Sequence, residues 1–127
     1  MPRVNEFAFL RKAKLLLRIG LAFVFLYAAV SSLISPKDWI WYIPDWFPAI
    51  MPRETMLLLH GIFELVLGIW LLSDWKGFFA ALIAALDLAM ITLMNFQIMS
   101  VVFRDIGLFF AAAALAYLYK IPSRSIK

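Results

Sequence analysis

Four long apolar runs dominate this chain of 127 residues. Each run is about 17–23 residues long, which is enough for an α-helix to cross the hydrocarbon core of a bilayer. The composition agrees, because 65% of the residues are hydrophobic, 16% are charged and the mean hydropathy is +0.92. Soluble domains carry considerably more charge. The sequence therefore predicts an all-α integral membrane four-helix bundle that forms a single domain over residues 1–127.

The apolar runs also locate the helices, and a proline-rich segment separates the first from the second. We expect the four helices at about residues 15–34, 55–73, 77–99 and 104–120. Residues 36–54 contain four prolines, which exclude a regular membrane-spanning helix there. The aromatic residues of this segment that favour the headgroup region are Trp39, Trp41, Tyr42 and Trp46. We expect the segment to be an interfacial anchor or a lid over a cavity.

Two acidic residues lie in the middle of the second and third helices. Glu64 comes ten residues before the polar turn that starts at Asp74, and Asp87 comes ten residues after Gly77. At a rise of about 1.5 Å per residue, both carboxylates are expected near the middle of the bilayer. An ionised group costs roughly 2.5–3.5 kcal/mol there, so such residues usually face the bundle interior and mark function. Two carboxylates at one depth also favour a shared proton.

Small and polar residues form one stripe on each of these two helices. The stripe of the second helix consists of His60, Gly61, Glu64 and Gly68. The stripe of the third helix consists of Ala80, Ala84, Asp87 and Ile91. Because glycine and alanine permit close packing of helices in membranes, we expect an antiparallel hairpin in which the two stripes lie against each other.

A polar cavity open to the outer side is the hypothesis that unites the charged residues. Its expected members are His60, Glu64, Asp87, Arg104 and Asp105, with residues 39–47 above them. Asp105 has a second interpretation as a capping residue near the start of the fourth helix. The carboxylate pair also has a second interpretation, in which it holds two helices together by a hydrogen bond.

The residue types restrict the cofactors. Because the chain has no Cys and one His, a disulfide, an iron–sulfur cluster held by thiolates and a bis-His haem within one chain are not expected. Only His60 and Glu64 have the spacing of metal ligands on a helix, and two ligands without a third do not predict a metal site. A quinone headgroup or a small anion remains compatible with the cavity.

The basic residues predict the orientation and the surface partner. Nine of the twelve Lys and Arg residues lie on the side of the two termini and three on the other side, so both termini are expected in the cytoplasm. Basic residues at the ends of membrane helices favour anionic lipid as a partner over nucleic acid.

Arg18 lies one turn inside the first helix and has two interpretations. In the first, its side chain reaches back to lipid phosphates at the inner surface. In the second, it turns inward on a face of mostly small residues, which consists of Ala22, Phe25, Ala29 and Ser32.

Three stretches of the chain carry a family pattern. They are LLRIGLAFVFLYAAVSSLISPKDWIWYIP, LHGIFELVLGIWLL and FRDIGLFFAAAALAYL. In this order they resemble the conserved blocks of the DoxX family, small four-helix membrane proteins of bacteria and archaea. The residues that match its pattern are Glu64, Gly68, Arg18, Arg104 and Asp105. Where members often have Gly and then Lys near the end of the first helix, this chain has Ala29 and Ser32.

The resemblance implies a multi-pass protein of the plasma membrane of a bacterium or archaeon. It also implies a link to sulfur-compound oxidation, since the family takes its name from a subunit of an archaeal thiosulfate:quinone oxidoreductase. Fold-level likeness does not determine a reaction. We favour a binding or accessory membrane subunit, and the alternatives are a membrane subunit of a quinone-linked oxidoreductase and a small proton-coupled transporter. The expected partners are the lipid bilayer and either an enzyme subunit or a second copy of the chain.

The predicted orientation can be measured with single cysteines, because the chain has none of its own. Lys37→Cys should react with a membrane-impermeant maleimide on intact cells, since its loop is predicted outside. Ser123→Cys should react only after the cells are permeabilised. The opposite labelling pattern would show that the termini face outward.

Overall fold

The structure, a computed structural model, describes residues 4–43, 51–96 and 99–120. Its four helices are α1 (Val4–Ile34), α2 (Arg53–Ser73), α3 (Gly77–Met94) and α4 (Met99–Lys120). Two short 3-10 turns, Pro36–Asp38 and Ile40–Tyr42, follow α1. Every helix contains a segment that is long and apolar enough to cross a membrane, and the described residues form no strand. The predicted all-α four-helix membrane bundle is confirmed.

The helix ends differ from the predicted ones because hydropathy marks membrane-buried residues and not the ends of helices. α1 begins at Val4, well before residue 15, and Phe7 in this extension is buried. α3 ends at Met94, where the buried side chain of Asn95 donates a hydrogen bond to the Ile91 carbonyl at 3.1 Å. α4 begins at Met99 rather than at residue 104. The apolar pattern continues across this break and conceals it.

The helices pack as a closed bundle in which α1 lies along α2, α3 lies along α4, and α1 also contacts α4. α2 and α3 contact each other at fewer positions, among them His60 and Asp87, so the two expected stripes meet only in part. The glycines of α2 face α1 instead. A Cβ atom at Gly61 would lie 3.0 Å from the Ser32 hydroxyl, and one at Gly68 would lie 2.7 Å from Leu26. The glycine stripe therefore forms a groove that admits side chains of α1.

Alanines of α3 allow α4 to approach closely. Ala80, Ala81, Ala84 and Ala85 are all buried and belong to the main core. The large buried side chains of this core are Leu21, Phe25, Leu67, Leu71, Leu88 and Leu115. Large apolar side chains also cover the outside of the bundle, including Leu16, Phe23, Leu93 and Phe110. An apolar exterior is what a bundle surrounded by lipid requires.

The connection between α2 and α3 is a tight turn. Asp74 (φ 63°) and Lys76 (φ 47°) both adopt the left-handed conformation, which reverses the chain within three residues. Gly77 then begins α3, and a Cβ atom there would collide with the ring of Tyr119. The Tyr119 hydroxyl donates a hydrogen bond to the Asp74 carboxylate, so α4 is attached to this turn.

Gly68→Leu should destabilise the bundle by about 1–3 kcal/mol, because the new side chain overfills the groove between α1 and α2. Gly20→Leu is the matched control, since Gly20 lies on an exposed face of α1 and a Cβ atom there meets nothing within 4 Å. Unfolding of the purified protein in mixed micelles with increasing SDS measures both. Equal stability of the two variants would contradict the close approach at Gly68.

Candidate functional site

His60 connects the two buried carboxylates that the sequence analysis identified. Its Nε2 atom lies 2.8 Å from Asp87 Oδ1 on α3. Its Nδ1 atom lies 3.7 Å from Glu64 Oε1, one turn further along α2. The i, i+4 spacing puts His60 and Glu64 on one face of α2, and the approach of α3 adds Asp87. One imidazole thus bridges an intrahelical and an interhelical carboxylate.

Burial makes a net charge on His60, Glu64 and Asp87 unfavourable. Glu64 and Asp87 are each 4% exposed, and the His60 side chain is 14% exposed. A charge in an apolar interior is strongly unfavourable unless a counter-charge and hydrogen bonds accompany it. A protonated His60 places one positive charge and two N–H donors between the carboxylates. Asp87 Oδ2 is buried and accepts no hydrogen bond from the described residues.

A cavity of about 510 Å³ adjoins this group. Its charged lining residues are Asp38, Glu64, Arg104 and Asp105. Its aromatic lining residues are Phe23, Phe25, Tyr27, Trp39 and Trp41. Aliphatic side chains complete the wall: Val24, Ala28, Leu88, Ile91 and Leu108. The volume lies within the usual range of small-molecule sites, roughly 300–1,000 Å³, and the mixture of apolar walls with few polar groups is typical of them.

The tryptophan side of the cavity is held in place by hydrogen bonds. Trp39 Nε1 donates to the Ser31 hydroxyl at 2.9 Å, and Trp41 Nε1 donates to the Asp38 carbonyl at 3.0 Å. Arg53, the first residue of α2, donates to the carbonyls of Ile40 and Ile43 at 2.6–3.0 Å. The 3-10 turns therefore have a defined position over the bundle.

Arg104 and Asp105 reach the cavity from the second turn of α4. Arg104 is exposed and Asp105 is half-buried. Because α4 begins at Met99, Asp105 lies too far inside the helix to cap its N-terminus, and that interpretation is wrong. A guanidinium at the mouth and a carboxylate beside it offer a hydrogen-bond donor and an acceptor to a molecule in the cavity.

Arg18 lies at the opposite end of the bundle, near the turn between α2 and α3. Its Nε donates to the Leu71 carbonyl at 3.0 Å, its Nη2 donates to the Leu72 carbonyl at 2.6 Å, and Asp74 Oδ1 is 3.7 Å from Nε. The side chain is 14% exposed, so it turns inward in this structure. Its partners are carbonyls that the C-terminal end of α2 leaves without helical donors.

The structure brings most of the expected site residues together, in two adjoining parts. The cavity is lined by Glu64, Arg104, Asp105, Trp39 and Trp41. His60 contacts both Glu64 and Asp87, so His60 and Asp87 adjoin the cavity at Glu64. Trp46 and the Tyr42 side chain lie outside the described part of the chain. Sequence reasoning missed Asp38, although it is an acidic residue within the aromatic segment. It also missed Phe23 and Tyr27, whose i, i+4 spacing on α1 resembles that of ordinary lipid-facing residues.

A double-mutant cycle should detect the bond between His60 and Asp87. His60→Ala and Asp87→Ala are expected to couple by about 0.6–1.7 kcal/mol, between the average and the maximum found for hydrogen bonds between membrane helices. The measurement is unfolding in mixed micelles with SDS. The control cycle combines His60→Ala with Glu54→Ala, because Glu54 is exposed at the start of α2 and should be additive. Additivity in both cycles would argue against the bond.

Comparison with known proteins agrees with the resemblance noted in the sequence. The DoxX family model matches residues 13–97, which include most of α1, all of α2 and all of α3. No curated protein and no solved structure gave a match. The matched segment contains Arg18, His60, Glu64 and Asp87, whereas Arg104 and Asp105 lie beyond it. Since the match spans more than half of the chain, this four-helix membrane protein belongs to the DoxX family.

Proposed function

We propose that this protein is a binding or accessory membrane subunit whose cavity accepts the headgroup of a small amphipathic molecule, with a quinone as the best-fitting class. The observation that carries the proposal is the cavity of about 510 Å³ with aromatic rings on its walls and charged groups among them. A planar, partly polar ring needs both kinds of surface.

The lining residues have chemistry suited to such a headgroup. The rings of Trp39 and Trp41 can stack on a flat ligand, because aromatic pairs favour offset or edge contacts. The Arg104 guanidinium can donate hydrogen bonds to a quinone oxygen. Glu64 and Asp105 can give or accept a proton when the ligand changes its protonation state.

The amino-acid composition supports the accessory role. With no Cys and a single His, the chain lacks the ligands for an iron–sulfur cluster held by thiolates or for a bis-His haem. In a quinone-linked oxidoreductase that contains this chain, we expect a partner subunit to carry the electron-transfer centre. The proposal includes a plasma-membrane location with both termini in the cytoplasm, so that the tryptophan side of the cavity faces outward.

The second candidate is a small proton-coupled transporter. The linked group of His60, Glu64 and Asp87 favours it, because chains of carboxylates and imidazole within membranes serve as proton relays in pumps and transporters. Proton-driven solute uptake by proteoliposomes, lost in Glu64→Gln, would select this function over the binding subunit.

Trp39→Leu and Arg104→Gln should each weaken binding of a short-chain, water-soluble benzoquinone by about tenfold, equivalent to the loss of ~1.4 kcal/mol. Isothermal titration calorimetry of the full chain in detergent measures the affinity, with protein-free micelles as the blank. Trp75→Leu is the matched control, since Trp75 is exposed in the turn between α2 and α3 and does not line the cavity.

Two results would contradict the binding function. One is the absence of saturable binding by the unmodified protein. The other is that Trp39→Leu and Arg104→Gln bind the quinone as tightly as Trp75→Leu does. The quinone would then bind elsewhere or partition into the micelle.

A further inference from the structure

Three side chains of the buried group have the composition of a metal site. One imidazole nitrogen of His60 and one carboxylate oxygen each of Glu64 and Asp87 all lie within 4.8 Å of one another. His60 and Glu64 come from α2, and Asp87 comes from α3. The sequence pattern contained only the first two at ligand spacing, and the packing of the helices adds the third.

A second observation concerns the free oxygen of Asp87. The residue is 4% exposed, and its Oδ2 atom accepts no hydrogen bond from any residue that the structure describes. Since Oδ1 of the same carboxylate contacts His60, Oδ2 lies at the edge of the three-residue group. A buried carboxylate oxygen without a hydrogen-bond partner is unfavourable, because it has lost its contacts with water. A cation is the kind of partner that compensates for this loss.

The charge balance of the three residues also favours a bound cation. Two ionised carboxylates in the membrane interior need two positive charges for neutrality, and one imidazolium supplies only one of them. A divalent cation bound by both carboxylates and a neutral imidazole balances the group completely. Metal binding selects these protonation states, because its ligands must be deprotonated.

From the ligands, spacing and charge, we propose that His60, Glu64 and Asp87 bind a divalent transition-metal ion of the zinc type. Imidazole with carboxylates is a ligand set of Zn²⁺ and similar ions, whereas Mg²⁺ prefers oxygen ligands in octahedral geometry. Bonds of about 2.0–2.2 Å place two ligands of one zinc ion roughly 3–4 Å apart, so the side chains need to converge only slightly.

The position of the group also provides access for an ion. The His60 side chain is 14% exposed, and Glu64 lines the cavity of about 510 Å³. An ion entering through the cavity reaches Glu64 first and then the other two ligands. This proposal goes beyond ligand binding in the cavity and does not depend on a quinone, since the metal can be tested alone.

The experiment measures Zn²⁺ binding by the untagged, full-length protein in detergent, after treatment with a chelator and without any quinone. We expect about one ion per chain, and a weakening of roughly tenfold or more in Asp87→Asn and in Glu64→Gln. Glu54→Gln is the matched control, because Glu54 is an exposed carboxylate on the same helix and should leave binding unchanged. Mg²⁺ should not compete at equal concentration.

X-ray absorption at the zinc edge keeps the proposal testable if these variants fail to fold. The chain has one His, so an imidazole contribution in the spectrum of the unmodified protein must come from His60. We expect one imidazole nitrogen together with oxygens at about 2.0–2.2 Å. A spectrum without imidazole, no zinc above the protein-free blank, or equal affinities of Glu64→Gln and Glu54→Gln would each overturn the metal site.

Discussion

The unfavourable free energy of charge inside a bilayer is the constraint on which this structure depends. Glu64 and Asp87 are buried in the middle of two different helices, and His60 lies between them. For this contact to form, α2 has to present one face to the interior and α3 has to present Asp87 at the same level. Without the imidazole, the two carboxylates would lose the counter-charge that His60 can supply within the apolar core.

Small residues determine which helices pack closely against each other. Gly61 and Gly68 admit α1 against α2, while the alanines of α3 admit α4. Close packing is therefore strongest in the pairs α1–α2 and α3–α4, and α2 meets α3 over a shorter stretch. The cavity has walls from α1, α2, α3 and α4 and lies under the tryptophans that follow α1. The same packing that buries the carboxylates therefore positions Glu64 at the wall of a chamber large enough for a ligand.

Two arginines stabilise the ends of the bundle by donating hydrogen bonds to backbone carbonyls. Arg18 donates to carbonyls at the end of α2, and Arg53 donates to carbonyls of the 3-10 segment at the opposite end. Carbonyls at the end of a helix lack helical donors, and a side-chain donor can satisfy them. A guanidinium can satisfy two of these acceptors at once and remains charged. Both contacts join segments that are distant in the chain.

The sequence by itself determined the four membrane helices, the aromatic segment, the positions of Glu64 and Asp87 in the middle of their helices and the DoxX pattern around Glu64. These features depend on local composition and on helical periodicity, which place a residue at a depth and on a face. Tertiary structure alone decided that Asp87 contacts His60, that the glycines of α2 receive α1, and that Arg18 caps α2. Periodicity shows which side of a helix is suited to contact but not which neighbour will fill it, because that choice depends on how all four helices fit together. For the same reason, two potential ligands in the sequence become a group of three only in the folded bundle.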